Sequence, residues 1–189
     1  MTAFAASVAP DVRRAGLLTG LLIATGLVAG LTLALVAGGA PADCIGLTPR
    51  TDPSEVLAGD VFVNNARVVF AVMLAAGTAA AARIAINSSE TRGARLLPAV
   101  FRAACDVTVA LIVFLNVALV AVALAGFGSL VLRALWLHGP IETFGFCLAL
   151  SLYLAARRGQ LTARRALTVA SLSIGVLAVA ALLETNPVF

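Results

Sequence analysis

The sequence predicts an all-α protein, a polytopic helical membrane bundle of about five transmembrane helices plus a short interfacial helix, forming a single integral membrane domain over residues 1–189. Three observations predict it. Mean hydropathy is +1.06 and only 12% of residues are charged, outside the range of soluble domains. The apolar residues fall in long runs, near the ~20 that a helix needs to cross ~30 Å of hydrocarbon. The thirteen basic residues, all arginine, gather on alternate connections.

The first run, 15–38, follows Arg13-Arg14. Ala40-Pro41-Ala42 fits a signal-peptidase site, but the run is longer than the ~7–15 residues of a secretory signal core, so it reads as a retained helix. Residues 39–59 form the longest polar connection, where Asp52-Pro53-Ser54-Glu55 resembles a helix start. A second span covers 66–86, an arginine-rich loop 87–98, and a third span 103–125. Gly126 and Gly128 end that helix. Residues 130–137 then suit a short helix at the interface, carrying Arg133 and the sole tryptophan, Trp136. Gly139-Pro140 restarts the chain into a fourth span, 141–156, and a fifth covers 166–183. These last two are short, so they borrow flanking residues or thin the bilayer.

With the N-terminus cytoplasmic, the inner side receives Arg13, Arg14, Arg83, Arg92, Arg95, Arg102, Arg157, Arg158, Arg164 and Arg165. The outer side receives only Arg50, Arg67 and Arg133, so the expected C-terminus is outside. The basic balance thus reports topology and attraction to anionic lipid, and no basic face interleaved with aromatics suggests nucleic acid. Cys44, Cys105 and Cys147 fall in an outer loop, at an inner helix end and within a span, and do not readily pair. With no CxxC or His/Cys cluster, no structural metal and no cofactor are expected. No internal repeat supports an inverted-repeat transporter.

Spans two and four enter from the same side, so their opening polar residues share a depth. Span two opens with Gly59-Asp60-Val61-Phe62-Val63-Asn64-Asn65-Ala66-Arg67, in which Asp60, Asn64 and Arg67 follow one helix face and Asn65 sits about 100° round. Span four opens with His138-Gly139-Pro140-Ile141-Glu142, which holds the only histidine of the chain. The candidate catalytic residues are therefore His138, Glu142, Asn65 and Asn64. Arg67, Asp60 and the mid-span Asn116 are candidate substrate-binding residues, since ionisable and amide groups at membrane depth mark sites. Each has a structural alternative. Glu142 suits the free N–H groups and dipole of a helix start, and His138 an interfacial hydrogen bond. The asparagines suit interhelical bonding, and Arg67 suits snorkelling to headgroups. Asp106 is placed to pair with Arg102 at i−4, and the Arg157-Arg158 and Arg164-Arg165 pairs anchor an inner loop or bind lipid.

At Phe62-Val63-Asn64-Asn65-Ala66-Arg67 and His138-Gly139-Pro140-Ile141-Glu142 the chain resembles the stage II sporulation protein M family of polytopic membrane proteins, over about residues 55–185. That family has an F-x-N-N-x-R-like start to one span and an H-G-x-x-E start to a later one. It usually carries Asn-Gly after the span that begins with the asparagines, whereas Asn87 is followed here by Ser88. The resemblance implies an all-helical bundle acting within a membrane complex. Founding members look like assembly partners for wall-degrading enzymes in peptidoglycan remodelling.

Three functions compete. In the first, His138 is a general base or acid, Glu142 orients it or acts as the opposite acid, and Asn64 and Asn65 stabilise an oxyanion or enolate of a peptide or wall-like substrate. This suits epimerisation, isomerisation or assisted hydrolysis without a cofactor; a metal would need Asp60 as a further ligand. In the second, the cluster fixes helix packing in a scaffold that docks a partner. In the third, it lines a transport pathway. The lipid bilayer and a second protein subunit are the expected partners.

Overall fold

A computed structural model describes residues 2–37, 58–128, 132 and 138–184. It contains five helices long and apolar enough to span a membrane, and no strand among the described residues: α1 (Thr2–Ala37), α2 (Ala58–Ser88), α3 (Arg92–Phe127), α4 (Gly139–Arg158) and α5 (Ala163–Glu184). The chain is therefore an all-α multi-pass membrane protein in contact with the lipid bilayer. The expected short helices at 52–55 and, apart from Leu132, 130–137 lie outside the described residues, as does Cys44.

Several boundaries differ from the sequence reading. The arginine-rich stretch expected as a loop over 87–98 is mostly helix. Only residues 89–91 separate α2 from α3, which begins at Arg92 and carries Pro98 inside it. Thr91 caps this start, its Oγ1 accepting from Ala94 N at 3.3 Å, and Arg95 closes the turn by donating to Ser89 O from Nε and Nη2 at 2.9 and 2.8 Å. Arginine is a good helix former, the Thr91 oxygen takes one of the free N–H groups of the α3 start, and Arg95 satisfies a carbonyl that follows α2. α1 likewise begins well before its apolar run and carries Pro10 within it.

α4 is the central helix. Its stretch from Gly145 to Ala156 is buried except for Leu154. It packs on α1, α2 and α5, whereas α3 packs on α1 and α2 from the other side. A helix enclosed by others needs no lipid-facing stripe, which is why α4 carries small and polar residues and is the least hydropathic span. Close approach follows from small residues, as at helix contacts within membranes generally. A Cβ on Gly30 of α1 would meet Leu124 Cδ2 at 2.8 Å and Ala121 O at 3.1 Å. Gly30→Val is expected to part α1 from α3 and to lower unfolding stability by about 1–3 kcal/mol, read by denaturant titration in mixed micelles.

The α4–α5 turn ends on Gly159, whose φ of 74° lies in the left-handed region. Gly159 N and Gln160 N donate to Ala156 O and Ala155 O at 3.0 and 2.9 Å, which satisfies the last carbonyls of α4. A Cβ there would also lie 2.6 Å from Arg83 Cζ. Gly159→Ala should therefore lower the thermal midpoint through about 1–2 kcal/mol of backbone strain and a displaced guanidinium.

Polar side chains fix one end of the bundle. Arg165 holds Asp11 with a two-pronged pair, Nε to Oδ2 and Nη2 to Oδ1, each at 2.7 Å. Asp11 is fully buried, and Ser151 Oγ stands 3.2 Å from its Oδ1. Asp106 does not pair with Arg102 as expected. Instead Arg157 Nη2 reaches its Oδ2 at 2.7 Å and the Tyr153 hydroxyl donates to its Oδ1, because tertiary neighbours on α4 outcompete the local i−4 partner. Arg83 Nη1 donates to Arg157 O at 2.9 Å. These bonds bring the starts of α1, α3 and α5 and the ends of α2 and α4 to the same end. The ten arginines expected on one side are on helix segments at that end.

Candidate functional site

The opposite end is built from the starts of α2 and α4. Pro140 near the first turn of α4 needs no N–H partner, and Glu142 N donates to His138 O at 2.9 Å to open the helix. Glu142 thus projects from the first turn of α4. Asn65 projects from α2 one turn before the buried Val69, so its side chain shares that inward face. The Asn65 carboxamide Nδ2 donates to Glu142 Oε1. The pair joins residues 77 positions apart and is partly buried.

Because α3 and α4 both pack on α1 and α2 but scarcely on each other, a space opens between them. Near the arginine end Tyr153, Asp106 and Arg157 bridge it. Towards the other end it remains a cavity of about 360 Å³. Its walls are mainly apolar, including Leu22, Leu27, Val68, Val120, Leu124 and Phe146. Asn65, Glu142, Thr143 and Asn116 supply the polar part. Asn116 sits within the α3 span with an exposed side chain, its Nδ2 donating to Ile112 O at 2.8 Å. Thr143 Oγ1 donates to Gly139 O at 2.8 Å.

Of the sequence-predicted residues, the structure brings Asn65, Glu142 and Asn116 to one cavity. His138 precedes α4, is half-exposed, makes no capping bond with its side chain and does not line the cavity. Asn64 and Arg67 are exposed and away from it. The side chain of Asp60 lies outside the described residues. The two asparagines therefore diverge, as a 100° step between neighbours on a helix requires. Among the described residues, no group of three or more His, Cys, Asp and Glu side chains comes together to hold a metal ion.

Sequence reasoning did not single out Asp11, Ser151, Tyr153 or Ser173, whose Oγ donates to Gly145 O at 2.6 Å, and it read Arg165 only within an arginine pair that anchors an inner loop or binds lipid. A signal for the Asp11–Arg165 pair is present: both stand in helices entering from the same end, Asp11 at the tenth residue of α1 and Arg165 at the third of α5.

Fold and site together define a polytopic helical membrane protein with a carboxylate–carboxamide pair on the wall of an interhelical cavity. Comparison with protein-family models, curated proteins and solved structures finds no match to this chain.

Proposed function

We propose that this chain is the membrane subunit of a heteromeric complex, resembling the stage II sporulation protein M family, and that its Glu142–Asn65 pair performs proton transfer on a peptide or wall-like substrate. The observation that supports this is the placement of the pair. A carboxylate held by a carboxamide faces an open, mainly apolar cavity instead of being sealed between helices. Glu142 takes a proton from the carbon next to a substrate carbonyl, the electron pair moves onto the carbonyl oxygen, and the second N–H of Asn65 donates to that oxygen. Return of the proton to the same or the opposite face gives exchange or epimerisation. His138 stands outside the cavity wall and takes the secondary role of a proton relay to solvent.

The arginine end faces the cytoplasm in this reading, by the positive-inside rule, which sets the pair near the outer surface. The scaffold reading is favoured by one fact, that the Asn65–Glu142 bond ties α2 to α4.

The complex, purified from native membranes with its extractable peptides, is incubated in deuterated water. Proton transfer predicts deuterium uptake at carbon by a co-purifying peptide, lost in Glu142→Gln with assembly intact. Equal uptake by the variant contradicts the catalytic reading. Failure of Glu142→Gln to assemble supports the scaffold instead.

A further inference from the structure

The hydrogen-bonding groups on the cavity wall are unbalanced. Nδ2 of Asn65 is committed to Glu142, Nδ2 of Asn116 to Ile112 O and the Thr143 hydroxyl to Gly139 O. The Ile112 and Gly139 carbonyls accept only, as does Glu142 in its ionised form, and this settles which way each amide points. One N–H remains on each amide. Against these stand both amide oxygens, the Thr143 lone pairs and the second carboxylate oxygen, none with a donor among the described residues. An acceptor surplus around a carboxylate, within membrane-spanning helices, is costly when empty of donors.

We propose that the cavity binds a primary ammonium group carried on an apolar chain. An ammonium has three donors and no acceptor, which complements this wall, and its charge neutralises Glu142 in a region where an uncompensated charge is unfavourable. The apolar walls take the chain. Scaled from a cavity of ~150 Å³ that holds benzene, 360 Å³ accepts about fourteen carbon atoms. The carrier is an apolar peptide with a free amino terminus or a single-chain lipid amine. This inference rests on the reading of the Glu142–Asn65 cavity as a substrate site, and it names the substrate class.

The test uses the full chain in bilayer discs of uncharged phosphatidylcholine, with empty discs subtracted. Labelled dodecylamine is expected to bind saturably. Dodecyltrimethylammonium, which keeps the charge but has no N–H, should bind about tenfold or more weakly, and dodecanoate not at all. Glu142→Gln should weaken dodecylamine by about tenfold or more. Val117→Trp, which fills the space from the α3 side, should abolish saturable binding of dodecylamine. Equal binding of all three probes, unchanged binding by Glu142→Gln, or no saturable binding would overturn the proposal.

Competition by a hexaleucine peptide with a free amino terminus, and not by its acetylated form, supports the peptide as carrier. Absence of competition by either, with dodecylamine bound, supports the lipid amine. Amine binding without deuterium uptake leaves this inference standing and removes the proton-transfer reading. Uptake without amine preference does the reverse.

Discussion

Asp11→Ala is expected to destabilise the folded bundle by about 3–5 kcal/mol, because it strands a guanidinium that the fold has removed from solvent. Arg165 spends two donors on Asp11, at 2.7 Å each, and its side chain is only 15% exposed. Asp11 itself is fully buried. The pair ties the start of α1 to the start of α5, with Ser151 of central α4 between them. Removing one partner differs from removing both. Asp11→Leu with Arg165→Met should recover most of the loss, since two apolar side chains of similar volume need no compensation. Reversible unfolding in mixed micelles measures all three proteins. A single variant within about 0.5 kcal/mol of the parent would show that the pair is effectively solvated.

Glu142→Gln is expected to lower proton transfer by about 10²–10⁴-fold, the usual worth of a positioned general base. Glutamine keeps an oxygen that accepts from Asn65, so helix packing is retained while the proton acceptor is lost. His138→Ala should cost about tenfold or less, since the imidazole does not line the cavity. Asn64→Ala should change nothing measurable. Deuterium uptake at carbon, followed by mass spectrometry for each variant, gives this ranking. A larger loss from His138→Ala than from Glu142→Gln would move the chemistry outside the cavity and reverse the assigned roles.

The helices were legible because hydrophobic length is a direct physical requirement of the bilayer, and each expected span coincides with an observed helix. Boundaries were less legible. Arginine and Pro98 look like loop signals, yet α3 runs from Arg92 because Thr91 accepts from its first turn, while Arg95 donates to Ser89 O just past the end of α2. Depth was readable at the site: Asn65 and Glu142 open spans entering from one end, and they meet. Which asparagine turns inward was not readable, because one residue of helix rotation separates exposed Asn64 from Asn65 and neighbouring helices set that rotation. Asp11 and Asp106 show the same limit. Local spacing offered Arg102 as the partner of Asp106, and the fold supplied Arg157 and Tyr153 from α4.

In the proposed site Glu142 faces an apolar cavity that amphiphiles can enter, in place of serving as a closed clamp between α2 and α4. Reaction of the protein in membranes with dicyclohexylcarbodiimide distinguishes the two, because this apolar reagent adds to carboxyl groups in apolar surroundings and rearranges to a stable acylurea. Peptide mapping by mass spectrometry should place the adduct on Glu142, with labelling suppressed by excess dodecylamine and absent in Glu142→Gln. Folded protein that stays unlabelled at Glu142, while carboxyl groups elsewhere react, would contradict the account.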